Sequence, residues 1–250
     1  MKLVGATDIG LQRSENQDSY RAGHCTDGTA WGVVCDGMGG ANGGRLASGL
    51  ACAVIERVAE AGLERQSGAP QPPALLSGAL EQANRIVYEK ACETPDLEGM
   101  GTTAVCVLVR GGMAYYAHVG DSRLYLYRNG RLHQLTRDHS MVQELVEQGR
   151  LTEEEAEKHP RKNLITRALG VGEELQPDFG SKEVSPRDIL LLCSDGLTNC
   201  VQVGEIEHIL SNVAFFDTAH ALVAQALRGG GHDNITVLLI QIEGAEGNNG

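Results

Sequence analysis

Two dipeptides set between short β-type runs constrain this chain more than any other feature. Gly111-Gly112 separates residues 102–109 from 113–119, and Asn129-Gly130 separates 123–127 from 132–135. Each dipeptide supplies two positions that tolerate positive φ, which a two-residue type I′ hairpin requires. Neighbouring runs joined this way must pair antiparallel. A doubly wound parallel sheet is thereby excluded, since it needs a crossover of a dozen residues or more between paired strands.

The rest of the chain alternates in the same economical way. Residues 3–7, 19–24 and 31–35 read as strands, and 45–61 and 74–91 carry apolar residues at helical spacing. A turn-rich connector, 66–73, joins the two helices and is too short to separate domains. After the hairpins comes a highly charged excursion. Ser140 and Thr152 each stand three residues before Gln143 and Glu155, which predicts two short capped helices before Pro160. Strands at 177–183 and 189–193, helices at 204–210 and 218–227, and a last strand at 235–242 complete the pattern. These elements predict one domain over residues 1–243, with 244–250 a disordered tail.

Charge narrows the function. The 250 residues carry 33 acidic and 21 basic side chains, a formal net charge of −12. No nucleic-acid or anionic-membrane binding is expected from that balance. No apolar run approaches the ~18 residues of a membrane span, and Met1 leads straight into a strand rather than a signal peptide. Seven cysteines, an odd set without a Cys-x-x-Cys pair, read as reduced thiols of a cytoplasmic protein.

Several chemistries are absent. The chain has no Gly-Lys dipeptide and hence no P-loop, and no cysteine is followed six positions later by the arginine of a thiolate phosphatase loop. The eight histidines form no His-Glu-x-x-His or His-x-His zinc pattern. What remains is a set of aspartates at the ends of apolar strands: Asp36 before Gly37, Asp121 after Gly120, Asp195 before Gly196, and Asp233 after a run of glycines. Any one of them reads as a turn. Together, converging at one sheet rim, they would repel one another and need cations to stay ionised. Oxygen ligands select hard ions, Mg²⁺ or Mn²⁺. Two such ions can hold and acidify a bridging water for attack on phosphorus, and an arginine suits the phosphate oxygens.

These residues resemble a family, the metal-dependent protein serine/threonine phosphatases of type 2C in their compact bacterial form. The matching stretches are 7–18 (Thr-Asp-Ile-Gly-Leu-Gln-Arg-Ser-Glu-Asn-Gln-Asp), 34–40, 99–103, 118–123 with 135–140, 192–197 and 232–237. Six motifs in order cover almost the whole chain. The resemblance implies an α+β fold, a four-layer αββα sandwich of two antiparallel sheets with helices on both outer faces and a small helical flap at about 141–163. It implies hydrolysis of phosphoserine and phosphothreonine by a metal-bridging water, reversing a Ser/Thr kinase of the Hanks type, in a monomer acting on phosphoproteins. The alternatives are a phosphate monoesterase for small molecules and an inactive phosphoprotein-binding module.

The same resemblance assigns roles. Asp36 bridges two Mn²⁺ or Mg²⁺ ions, the Gly37 carbonyl ligates one, and Asp195 and Asp233 complete the other. Asp121, with Asp195, marks a third, weaker site. Asn234 and Asp18 orient metal-bound waters, and Arg13 grips the phosphate. Met38 stands where many eukaryotic members have a histidine proposed as general acid, so the acid is unassigned. His118 and His232 are expected to be satisfied by backbone or packing, and Thr102 and Thr103 to stabilise a strand start.

Overall fold

The computed structural model describes residues 1–25, 27–63 and 71–244, so most of the 66–73 connector and of the 244–250 tail lies outside the described residues. The chain runs β1 (Lys2–Asp8), β2 (Asp18–His24), β3 (Ala30–Met38), α1 (Gly40–Leu63), α2 (Pro72–Glu93), a 3-10 turn, β4 (Gly101–Thr102), β5 (Ala104–Arg110), β6 (Met113–Val119), β7 (Arg123–Arg128) and β8 (Arg131–Gln134). It continues through α3 (Met141–Glu147), α4 (Glu153–Glu157), β9 (Asp178–Glu183), β10 (Ile189–Cys193), α5 (Asp195–Thr198), α6 (Val203–Asn212), α7 (Phe215–Arg228) and β11 (Ile235–Gln241).

Both hairpins form at the expected dipeptides, with positive φ at Gly111, Gly112, Asn129 and Gly130. They do not belong to one sheet. The β5–β6 hairpin lies in a sheet of order β2-β3-β5-β6-β9, with β4 paired to β3, whereas β7–β8 lies in a sheet of order β1-β11-β10-β7-β8. The chain therefore changes sheets at Gly120-Asp121-Ser122, a corner that strand-by-strand reading of the sequence does not reveal. The strand pairings among the described residues are all antiparallel.

Alternation along the strands builds three apolar layers. Val34, Val105, Val107, Leu124, Leu126, Leu190, Leu192, Leu238 and Ile240 fill the space between the two sheets. Their neighbours of opposite parity face outward: Val33, Cys35, Cys106 and Leu108 against α1 and α2, and Leu191, Cys193, Val237 and Leu239 against α6 and α7. Because each central strand is covered on both faces, its sequence reads as a continuous apolar run. The result is the αββα sandwich.

Local differences from the sequence reading have simple causes. Helix α1 begins at Gly40, not at 45, because its first turn, Gly-Ala-Asn-Gly, holds no large apolar residue for periodicity to detect. The expected strand at 102–109 is interrupted at Thr103, and Thr102 pairs with the end of β3 instead. Ser140 accepts from the Gln143 N–H, but of these two expected boxes Thr152–Glu155 alone is reciprocal, and a further one forms at Gln202–Glu205.

Candidate metal centre

Antiparallel pairing brings the aspartates together. Asp18 opens β2 and Asp36 lies near the end of β3, and the two are directly opposed in register. Asp195 follows β10 and Asp233 precedes β11, and these strands are also antiparallel neighbours. The corner between β6 and β7 adds Asp121. Starts and ends of alternate strands thus meet at one rim, where a cavity of about 500 Å³ opens. Arg13, Asp36, Gly37, Asp121, Asp195, Asp233 and Asn234 all line it. Asp18 does not; it sits behind the cavity, buried.

Glycines make the close approach possible. A Cβ on Gly37 would lie 2.0 Å from the Gly44 carbonyl oxygen and 2.7 Å from that of Gln17. On Gly196 it would lie 2.0 Å from the Asn234 carbonyl oxygen, so a side chain there would push Asp195 away from the Asp233 loop.

The carboxylates are poorly satisfied by the protein. Asp18 accepts one bond, from Ser194 Oγ at 2.7 Å, and Asp195 accepts from Asn199 Nδ2 at 2.9 Å. Asp18 Oδ1 and Asp195 Oδ1 are nevertheless buried without a hydrogen-bond partner. Burial, reinforced by the neighbouring acids, pushes the Asp18 carboxyl up to about 7, Asp195 to about 6 and Asp121 to about 8. Asp36 is held well above the usual range by burial and by Asp18, Asp195, Asp121 and Asp233 together. Orphaned oxygen lone pairs, carboxylates that resist ionisation and an all-oxygen donor set fit hard divalent cations.

Arg13 is the cation already present. Its Nη2 donates to Asp233 Oδ2 at 2.7 Å, and that bond holds the guanidinium pKa above its ordinary value. Asn234 holds the loop that carries it: Nδ2 donates to the carbonyls of Ile9 and Glu15, and Oδ1 accepts from the Gln17 N–H. Both amide protons are thus engaged by backbone, which makes Asn234 a clamp on the Arg13 loop.

Residues to which the sequence reading gave no part in the site's chemistry complete the frame. Thr103 Oγ1 accepts from the Asp36 N–H at 2.9 Å and bonds Ser122 Oγ at 2.7 Å, so one hydroxyl braces Asp36 and the Asp121 corner together. Ser194 links Asp18 to β11 through the Thr236 N–H. Its place directly before Asp195 was the available signal. Asn163 and Ile165, on the return from the charged excursion, also line the cavity.

His118 bonds the Arg137 carbonyl oxygen through Nε2 at 2.7 Å, and His232 Nδ1 meets Gln12 Nε2 at 2.7 Å. His118, His139 and Asp178 form a separate cluster of potential ligand atoms within 4.8 Å of one another. Arg167 already occupies that cluster, 3.1 Å from Asp178 Oδ1 and 3.3 Å from His139 Nε2, which sets it apart from the aspartate rim.

Comparison with known proteins agrees with this geometry. The family model for protein phosphatase 2C matches residues 11–234. The chain is 39% identical over 242 residues to the serine/threonine protein phosphatase PstP of Mycobacterium tuberculosis, covering 97% of this chain and 45% of that protein. It thus spans about half the length of that curated relative. It is 38% identical over 244 residues to protein phosphatase PhpP of Streptococcus pneumoniae, covering 97% of this chain and 98% of that one. A crystal structure of the PstP catalytic domain in complex with two manganese ions superposes with a TM-score of 0.85 at 38% identity, covering 97% and 98% of the two chains. The chain belongs to the protein phosphatase 2C family.

Proposed function

We propose that this protein hydrolyses phosphoserine and phosphothreonine in other proteins, using divalent cations held at the aspartate rim. The observation that carries the reading is the convergence of Asp36, Asp121, Asp195 and Asp233 on one open cavity, with two buried carboxylate oxygens lacking any partner. Family membership supports the same reaction class. Asp36, the Gly37 carbonyl, Asp195 and Asp233 would hold two Mn²⁺ or Mg²⁺ ions, and Asp121 with Asp195 would hold a third more weakly. When bound, such ions supply water acidic enough to act as a nucleophile at neutral pH and offset charge on the phosphoryl oxygens.

The chain's own residues do the rest. Arg13 is more than half exposed, and its partner Asp233 is the carboxylate that a cation would neutralise. With Asp233 so engaged, the guanidinium is free to turn and take two phosphate oxygens in its planar fork. Asn234 keeps the Arg13 loop in place for that contact. Asp18 stands behind Asp36, joined to β10 and β11 through Ser194, where its free Oδ1 is an acceptor for ordered water. Met38 has no proton to give, so the proton for the leaving alkoxide must come from water or from another group at the rim.

The excursion carrying α3 and α4 is the flap beside the site, contributing Asn163 and Ile165 to the wall. Residues 1–243 act as one domain. The buried thiols of Cys35, Cys52, Cys106 and Cys193, none of them in a disulfide, favour a reducing cytoplasm. No helix among the described residues is long and apolar enough to cross a membrane. Phosphoproteins, including those of a Hanks-type kinase, are the partners of a monomer. Hydrolysis of p-nitrophenyl phosphate and of a phosphothreonine peptide is expected with Mn²⁺ and not after chelation. Faster turnover of free metabolite phosphates than of the peptide would move the assignment to a small-molecule monoesterase.

A further inference from the structure

His139 is buried, stacked on His118 with ring centroids 4.6 Å apart, and meets three separate parts of the molecule. The first is the Asp121 corner. The His139 N–H donates to the Gly120 carbonyl at 2.9 Å, and the Gly120 N–H donates back to His139 Nδ1 at 3.2 Å. Backbone and ring thus grip one residue from both sides. Gly120 needs that grip: its φ is +98°, and a Cβ would lie 2.6 Å from the Thr103 side chain, so only glycine fits and it confers no stiffness of its own.

The second part is the base of the flap. The His139 carbonyl accepts from the Thr166 N–H at 2.8 Å, the Met141 N–H donates to the Leu164 carbonyl at 2.9 Å, and Ser140 bridges Ile165. These rungs set the strand that places Asn163 and Ile165 in the cavity wall. The third part is the edge strand β9, where His139 Nε2 lies 3.3 Å from Asp178 Oδ2. With Nδ1 accepting from a backbone N–H, the ring proton belongs on Nε2, facing Asp178, and Arg167 Nη1, 3.3 Å from Nε2, is then held by Asp178 Oδ1 and not by the ring.

We propose that His139 is a positioning residue: its Nδ1 holds the Val119–Gly120 peptide while its backbone N–H holds the Gly120–Asp121 peptide, and together they fix the Asp121 carboxylate to the base of the flap. This rests on the reading of Asp121 as the ligand of the weaker cation site. Two substitutions separate the ring's two functions. His139→Asn places an oxygen acceptor where Nδ1 stood and loses the reach to Asp178, whereas His139→Gln keeps a donor near Nε2 and removes the acceptor.

Mn²⁺ binding to the metal-free proteins is followed by calorimetry, alongside half-saturation of p-nitrophenyl phosphate hydrolysis by Mn²⁺. His139→Gln weakens the lowest-affinity Mn²⁺ by about 10-fold, while His139→Asn stays within about twofold of the unsubstituted protein. Equal losses in both, or a larger loss in His139→Asn, overturn the proposal, because a packing role or the Asp178 contact would then account for the ring. Asp121→Asn provides the control. If it binds Mn²⁺ as the unsubstituted protein does, the cation reading of Asp121 fails; if it loses the weakest ion while His139→Gln retains it, only the positioning role fails. A long-range ¹H–¹⁵N spectrum of the unsubstituted, metal-free protein decides the matter even if a variant does not fold. A proton on Nε2 of His139 is expected, and one on Nδ1 overturns the grip.

Discussion

The molecule treats buried aspartates in two ways. Asp188 is buried, and Arg128 reaches it with two bonds of 3.0 and 2.6 Å while the Ser185 N–H adds a third. Asp138 is held likewise by Arg123, with bonds of 2.9 and 2.6 Å. At the rim, Asp18, Asp36, Asp121 and Asp195 raise one another's pKa with no arginine bonded to them, and Arg13 is bonded to Asp233 alone. Acids that serve the fold are supplied with an arginine. Those at the rim are left needing a cation from solution. The contrast also resolves how a chain of net charge −12 can serve an anionic substrate, since the acids nearest the site are the ones a metal would neutralise.

Substitution should therefore act oppositely in the two regions. Asp36→Asn is expected to lower kcat/KM for a phosphopeptide by about 10³-fold or more in excess Mn²⁺. The same change should raise the stability of the metal-free protein, because it removes a carboxyl that burial and the neighbouring acids keep from ionising as it would in the unfolded chain. Arg128→Ala should leave turnover nearly intact but lower stability by about 2 kcal/mol, below the range for breaking a fully buried pair because Arg128 is partly exposed. Urea unfolding with chelator, paired with a phosphopeptide assay, reads both. Turnover near that of the unsubstituted protein in Asp36→Asn removes the two-metal assignment.

Acidity sharpens the same comparison. Folded carboxyls at about 7, 8 and 6 for Asp18, Asp121 and Asp195 lie above their unfolded values near 3.8. At these three carboxyls the folded metal-free chain holds more protons than the unfolded one between about pH 4 and pH 8, so their contribution to stability falls as pH rises through that window, opposed in its acidic part by His118 and His139, whose pKa burial lowers. Bound cations favour the ionised forms and remove the loss. Thermal unfolding at pH 5 and pH 8 should show the metal-free protein weaker at pH 8, by an effect of a few kcal/mol at most, and Mn²⁺ should raise the pH 8 midpoint more than the pH 5 one. An unfolding midpoint in chelator that rises between those pH values would contradict a cation-starved rim.

How much of this was legible in the sequence depended on the range of the signal. Hairpins were readable because Asn129-Gly130 and Gly111-Gly112 act within two residues, and the aspartates stood out because each interrupts an apolar run beside glycine. The sheet change at Gly120–Ser122 was not readable, since hairpin dipeptides fix pairing within a hairpin and say nothing about which sheet the next one joins. The family resemblance gave Asn234 metal-bound waters to orient, but its amide is taken up by loop carbonyls more than two hundred residues earlier in the chain. Thr103 presents the same difficulty. Its partners Asp36 and Ser122 come from two other strand ends, and nothing in Gly-Thr-Thr distinguishes a bracing hydroxyl from an ordinary strand residue.

Thr103 also offers the mildest test of the contrast, because it carries no charge. Thr103→Val keeps the shape and removes the acceptor for the Asp36 N–H and the partner of Ser122 Oγ. Leaving those groups unpaired should lower stability by about 1–2 kcal/mol. If Thr103 only supported the strand, the loss would end there, as expected for an arginine-paired region. A hydroxyl that also fixes Asp36 relative to the Asp121 corner should show a second effect, a fall in kcat of about 10-fold with phosphopeptide KM little changed. Thr103→Ser, which retains the oxygen, should recover kcat though not all of the stability, since the lost methyl is buried. A Ser variant as slow as the Val variant would show that packing, and not the bond to Asp36, is what Thr103 contributes to the rim.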